Sequence, residues 1–529
     1  MRLLILSLLF LLLTLACRTV TGLFASPTPQ PTSTATYTAI PPTVTPIPSL
    51  TPPPTVTPFP TLEVDIDDLE SQAAGLLPDF ESDLLLDEDI TRYWIEVDVE
   101  FDPEGQRASI DGIARILFTN QIEEPLDDLV LMLWPNDDQY RSEMTAGPVQ
   151  INGRTVESSM EYDGLVTRVP LLPKLNPGEL ADISVPFHVD AFGPIGDIVP
   201  KRFGITEGVF VAPTFYPLIP RWVDGTWQAA PAPSAGDTTN SDTALYHVTI
   251  TSQSEYRLAT SGVEVDVVEN GDGTTTRTFT SGPMRDFAFA IGSFIRGTRE
   301  VAGIELVAWV MPDHESDIEA VLEAAAIQLS FLNYIVGAYP YPELDLVDAP
   351  GAFGGIEYPG LVFLGTLGGP NIVDPVIHEV AHQWFYALIG NDQLREPWLD
   401  EATASYWQLI YFERYLGKGR AASELSQFRS WVSRLDDSTI PIGLAVEDYE
   451  SEYEYAVIVY IKGALFFDEL RSYLGDEGFF EFLAAYFETF RYGFASAQDF
   501  QAHAELTCGC DLDDVFNLWV FEGGEVLVP

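Results

Sequence analysis

The sequence predicts an α+β fold, a β-rich N-terminal domain over residues 91–297 followed by a two-lobed domain over residues 298–529 built around a metal ion. Three observations carry this. Strand-like segments with period-two alternation, such as Tyr93 to Phe101, follow one another from Arg92 with few helical patterns between them. Beyond Glu401 the pattern reverses, and nearly every segment reads as helix. Between the two regions stands His378-Glu379-Val380-Ala381-His382, a pair of imidazoles four residues apart. On a helix that spacing puts both rings on one face, one turn apart, where they can close on one ion.

Residues 1–16 carry a basic Arg2 before an apolar run and read as a secretory signal, too short for a comfortable membrane span. Leu13-Thr14-Leu15-Ala16-Cys17 resembles a bacterial lipobox, with Thr14 and Leu15 where the pattern has Leu and a small residue. The expectation is lipidation of Cys17 and an extracytoplasmic, membrane-anchored lipoprotein of a bacterium. Residues 17–62 form a linker whose Pro, Thr and Ser cannot bury a core, so it extends as a stalk. Residues 63–90 form an acidic lead-in with room for a short helix near Leu84-Leu85-Leu86.

In the β-rich domain the strand candidates are 93–101, 108–116, Leu129 to Trp134, Ile183 to Val189, Tyr246 to Thr251 and Thr276 to Thr280. His188 and His247 fall in these strands and read as packed or surface residues. The next unit opens with a strand from Val301 to Val310. A helix from Ser316 to Val336 follows, with Ser316 and Glu319 as a capping box and Gly337 as its stop. Tyr341 to Val347 leads into a strand, and a Gly-rich turn over residues 351–360 precedes the strand Leu361 to Leu364.

The metal helix has Asp374 as cap, Pro375 at its first position and Gly390-Asn391 as its end. A second helix runs from Leu399 to Leu416, with Gly417 as its stop, and carries Glu401 eighteen residues after His382. Two imidazoles and a carboxylate with a fourth position open are what a catalytic zinc requires. Chance alone gives any such His pairing in a chain with six histidines on the order of once in a few hundred. Later helices span about 419–435, 456–474, 478–490, 496–506 and 512–521. Cys508 and Cys510 read equally as two free thiols or as a bonded pair.

The chemistry follows from the residue types. An open zinc lowers the pKa of water and polarises a carbonyl. Glu379 lies beside His378 and suits a general base. Glu357 in the Gly-rich turn reads either as an anchor for a substrate amino group or as a solvated turn residue. Tyr460 is one of twenty-two tyrosines, and spacing alone makes it a weak candidate oxyanion donor. A net charge of −54 excludes nucleic acid as a partner, because phosphates would be repelled.

Several motifs resemble the membrane alanyl aminopeptidase (aminopeptidase N) family of gluzincins and the related leukotriene epoxide hydrolases. Gly354-Gly355-Ile356-Glu357-Tyr358 is similar to the family's G-[AG]-M-E-N, with Ile and Tyr in place of Met and Asn. His378 to Trp384 is similar to H-E-x-x-H-x-W. Trp398-Leu399-Asp400-Glu401-Ala402 is similar to W-L-N-E-G, and Tyr460-Ile461-Lys462-Gly463 to Y-E-K-G. The likeness covers about residues 91–529 and implies a saddle-like β-domain before a thermolysin-like, two-lobed zinc domain. It implies zinc at His378, His382 and Glu401, with Glu379 as base and Tyr460 as transition-state stabiliser. Gly355 and Glu357 are implied to bind substrate, with peptides bearing free N-termini as partners. Near Phe215-Tyr216-Pro217 no acidic or amide residue offers the second amine contact that the family takes from its β-domain. A zinc endopeptidase, an epoxide hydrolase and a non-catalytic binding lipoprotein are the competing readings.

Overall fold

Alternating strands begin at Thr91, as the period-two pattern predicts, and the N-terminal domain builds several sheets from them. The computed structural model describes residues 69–196, 199–236, 241–351, 353–365 and 367–526. The signal, Cys17, the Pro/Thr/Ser-rich linker and residues 63–68 lie outside the described residues. Part of the lead-in is described, as a short helix Glu70–Ala73 and a 3-10 segment Pro78–Leu85.

Among the described residues the largest sheet has nine strands. Its centre is Thr91–Asp102, antiparallel to Arg107–Thr119 and parallel to Ala244–Gln253. Leu180–Phe192 pairs with the far side of Arg107–Thr119, and Val263–Glu269 forms an edge beyond Thr274–Thr280. Burial alternates residue by residue along Leu180–Phe192, so one face packs and the other is wetter. Val209–Pro213 and Ala288–Gly292 are instead buried throughout, because their four-stranded sheet is covered on both faces.

The second unit opens on a five-stranded sheet ordered Ile295–Val301, Ile304–Val310, Glu343–Asp348, Leu361–Leu364 and Gly355–Ile356. The single strand expected from Val301 to Val310 is a hairpin. Val301 pairs with Ile304 across Ala302 and Gly303, both at positive φ, which is the chemistry of a two-residue turn. The first strand of this sheet therefore straddles residue 297. Ile304–Val310 and Glu343–Asp348 are parallel, so the chain crosses over between them through the helix Ile318–Ile335. The expected capping box at Ser316 and Glu319 is absent. Pro312 starts a 3-10 turn over Pro312–Asp317, which places Ser316 inside the turn, and Glu319 pairs with Arg299 instead.

The metal helix is shorter than its sequence suggests. It spans Val373–His382, Ile372 precedes it, and Asp374 accepts from Asn371 Nδ2 at 2.7 Å rather than capping it. It stops eight residues before Gly390 because the following backbone pairs elsewhere. Tyr386 sits at φ 133°, Tyr492 N–H donates to Leu388 O, and Gly390 N–H donates to Gly493 O. The second helix is Trp398–Tyr411, extended by a π-helical turn Phe412–Leu416 that ends at Gly417 with φ 92°. Lys418–Val432, Glu452–Ala456, Gly463–Phe490, Ala497–Cys508 and Asp513–Phe516 complete the helical lobe. Gly463–Phe490 kinks at Gly475, where two separate helices were expected. Cys508 and Cys510 are joined by a disulfide. Trp384, Trp398 and Trp407 are fully buried in the core behind the metal helices.

Candidate metal centre

Three side chains converge where the two central helices meet. His378 and His382 point from one face of Val373–His382, with their Nε2 atoms 3.1 Å apart. Glu401 lies in the first turn of Trp398–Tyr411, its Oε2 3.2 Å from His378 Nε2 and 3.3 Å from His382 Nε2. The outer nitrogen of His382 donates to Phe385 O at 3.1 Å, and the Gln408 side chain bonds His378 while donating to Asp374 O. With its Nδ1 protonated, a neutral His382 presents a lone pair at Nε2, facing the His378 ring and a carboxylate oxygen. Such a triangle repels itself without a cation at its centre. A tetrahedral ion with bonds of roughly 2.0–2.1 Å holds its ligand atoms roughly 3.3 Å apart. The observed spacing fits zinc.

The surrounding charge points the same way. Burial lowers the His378 pKa, which keeps that ring a neutral ligand. Burial acts on His382 in the same sense, but the carboxylates of Glu357, Glu401 and Glu379 outweigh it and raise its pKa. Burial likewise opposes charge on Glu401, yet its bonds to the two histidines hold its carboxyl well below the usual range. A buried site so rich in carboxylate favours a cation between these groups.

Glu379 and Glu357 border this triangle, each with a carboxylate oxygen within 4.8 Å of the other and of a His382 ring nitrogen. Both are buried. Gly355 is where it is because of Glu379. A Cβ on residue 355 would lie 2.3 Å from Glu379 Oε1. The turn carrying Glu357 is fastened to the metal helix by Gln383, which accepts from Gly360 N at 2.9 Å and donates to Tyr358 O at 3.2 Å.

Tyr460 approaches from the helical lobe. It stands in a π-helical turn, Val457–Lys462, of a kind that recurs at functional sites. Its hydroxyl donates to Glu401 Oε1, and its ring stacks on His378 at 5.9 Å and 19°. The turn is locked by Lys462, whose buried Nζ donates to Ser438 O and Ile440 O. Gly463 crosses Ala402 so closely that a Cβ would come within 2.4 Å of the Ala402 Cβ. Small residues at both positions let the Tyr460 helix reach the Glu401 helix.

All seven residues singled out in the sequence thus meet in one region. Sequence reasoning missed the groups that hold them. Gln393 donates to Glu357 Oε1 at 3.1 Å and to Asp400 Oδ2 at 2.8 Å. Asp400 Oδ1 accepts from Asn391 Nδ2 at 2.9 Å and from Glu401 N–H at 3.0 Å. This chain of bonds runs from Glu357 to the backbone of Glu401. Asp400 was visible as the residue before the third ligand, whereas Gln393 sits in a loop with no periodic signal. The β-domain closes against the same segment. Arg285 Nε donates to Tyr386 O at 2.8 Å, Tyr386 Oη to Asp286 Oδ2 at 2.5 Å and Gln228 Nε2 to Asp392 Oδ2 at 2.8 Å. A separate cavity of about 370 Å³, lined by Tyr93, Phe118, Trp222, Trp227 and Phe494 among others, touches none of the metal-site residues.

Residues 321–519 match the model of the peptidase family M1 domain. Over 263 residues the chain is 26% identical to aminopeptidase M1-B of Oryza sativa subsp. japonica, covering 45% of this chain and 28% of that protein. Over 161 residues it is 30% identical to aminopeptidase N of Streptomyces lividans, covering 29% of this chain and 19% of that protein. The chain thus spans less than a third of the length of the curated relatives it matches. An M1 zinc metallopeptidase from Deinococcus radiodurans is similar in structure, with a TM-score of 0.64, 21% identity, and coverage of 83% of this chain and 95% of that one. A variant of that metallopeptidase bound to a Tyr-Ser-Ala substrate gives a TM-score of 0.62, with the same identity and coverage.

Proposed function

We propose that this chain is a member of peptidase family M1 and a zinc-dependent aminopeptidase that hydrolyses the first amide bond of peptides with a free N-terminus. The observation that carries the reading is the convergence of the His378, His382 and Glu401 ligand atoms, with Glu379 and Glu357 beside them. Zinc, when bound by these three residues, supplies a Lewis acid that activates water and polarises the scissile carbonyl.

The chain's own residues do the rest. The Glu379 carboxylate takes a proton from the attacking water and passes it to the nitrogen of the leaving amine. Burial on the metal helix, with Gly355 leaving the space it fills, fixes its position. The Tyr460 hydroxyl turns from Glu401 to donate to the carbonyl oxygen as negative charge develops there. Glu357 accepts from the terminal ammonium, so the first peptide bond, and no later one, lies over Glu379. Held on the Gln383 and Gln393 bonds, it needs no rearrangement to do so.

The test compares matched peptides with free and acetylated N-termini on zinc-loaded protein. Release of the first residue from the free peptides alone is the expected result. Equal cleavage of both sets would transfer the site to an endopeptidase. No cleavage of either, with epoxide opening, would transfer it to the hydrolase reading. Full biological effect in Glu379→Gln would leave only a binding protein.

The extracytoplasmic location and the lipid on Cys17 belong to the same proposal and rest on residues 1–17. Metabolic labelling with a radioactive fatty acid should mark the bacterial protein and not its Cys17→Ser variant. Equal labelling of both would refute the anchor.

A further inference from the structure

We propose that Gln393 is a substrate-recognition residue whose side-chain oxygen accepts one N–H of the terminal ammonium beside Glu357. The inference rests on the aminopeptidase reading above.

Gln393 is 2% exposed. Its Nε2 donates to two carboxylates, Glu357 Oε1 at 3.1 Å and Asp400 Oδ2 at 2.8 Å. Carboxylates accept and do not donate, so the orientation of the amide is fixed with nitrogen toward them. Oε1, on the same carbon, is then committed to face the other way. It is buried and receives no hydrogen bond from any described residue. A buried amide oxygen without a donor is costly and calls for a partner that arrives from outside.

The neighbours define that partner. The carboxylates of Glu357 and Asp400 are bonded to this one amide, and those of Glu379 and Glu401 border the same centre. An anion or a carbonyl would be repelled, and a neutral hydroxyl would satisfy the oxygen but not the charge. Lys462, the cation on the Tyr460 turn, is engaged by Ser438 O and Ile440 O. A primary ammonium brings positive charge and three N–H groups, so Glu357 can take one while Gln393 Oε1 takes another. The residue type also makes sense. A third carboxylate at 393 would repel the two it must position, whereas the amide pins both and still offers an acceptor. The second acceptor thus comes from the loop between the two metal-ligand helices.

The test uses zinc-loaded protein and one chromogenic peptide prepared with free, N-methyl, N,N-dimethyl and N-acetyl ends. In the wild type, N,N-dimethylation should raise KM roughly tenfold or more with kcat little changed. Gln393→Met should raise KM for the free peptide roughly ten- to a hundredfold and add little on the dimethyl peptide. Zinc content and Tm check that the variant is folded. If Gln393→Met lowers kcat/KM equally on the free and dimethyl peptides, its role is structural and the proposal is overturned. An unchanged wild-type KM for the dimethyl peptide overturns it as well, even if the variant does not fold. Wild-type indifference to acetylation would instead overturn the aminopeptidase reading itself, which is a different outcome from loss of the Gln393 effect alone.

Discussion

Gly355→Ala separates the position of the Glu379 carboxylate from its presence. Residue 355 does not lie in the left-handed region, so its backbone accepts alanine. The added Cβ would meet Glu379 Oε1 at 2.3 Å and its Cγ and Cδ at 2.6 Å. Ordinary contact starts at 3.4 Å, so the carboxylate must retreat by about 1.1 Å. It can do so by rotating, which makes the change cheap for folding, and alanine in place of glycine restricts the unfolded chain by about 0.4–1 kcal/mol in compensation. The chemistry is less tolerant. A displacement near 1 Å costs about a hundredfold in rate, or about 2.7 kcal/mol of barrier. The expected variant binds one zinc per chain by elemental analysis, melts within a degree or two of the wild type and loses about a hundredfold in kcat at similar KM. Activity within threefold of wild type, with zinc retained, would refute both the placement of Glu379 against Gly355 and its role as base.

Tyr460→Phe should lower kcat by about 10²–10³ while leaving zinc content unchanged, since it removes one donor to the developing oxyanion. Zinc lost in parallel would assign the hydroxyl to holding Glu401 instead. Chelation should abolish activity and lower Tm. An ion present at a thousand times its Kd contributes about 4 kcal/mol, so calorimetry with and without zinc measures it directly. Burial pushes the Asp286 carboxyl up to about 7, against the opposing pulls of Tyr386 and Arg285. A raised pKa means the group's contribution to stability is intact below its unfolded value near 3.8 and is lost as pH rises through about 7. Asp286→Asn should therefore gain on the wild type as pH rises from 5 to 8, by on the order of 3 kcal/mol at most. Parallel Tm–pH curves for the two proteins would refute this.

The elements with strong period were legible, and their edges were less so. The alternation in Tyr93 to Phe101 is a strand because a two-sided sheet needs it. The hairpin at Ala302-Gly303 was hidden because Val301 and Ile304 read as one apolar run. The metal helix was overextended for a related reason. Residues 383–389 are apolar enough to continue it, but Tyr386 and the pairings of Leu388 and Gly390 with residues 492–493 pull the backbone out of the helix.

The sequence by itself determined the ligand set. Two histidines four apart need only a helix to share a face, and local geometry guarantees that. It also determined that a carboxylate would arrive from the next helix, because Glu401 stands inside the helical pattern that follows. Only the tertiary structure decided how the remaining groups meet. Glu357, Gln393 and Tyr460 come from a turn, a loop and a π-helical turn far apart in the chain. Gly355 and Gly463 owe their identity to side chains that no local pattern brings near. Periodicity records which face of one element is buried, and it carries no record of what is packed against that face. The bonds that aim Glu357 and turn the Gln393 oxygen away from the two carboxylates are contacts between elements, so they come into existence only when the fold closes.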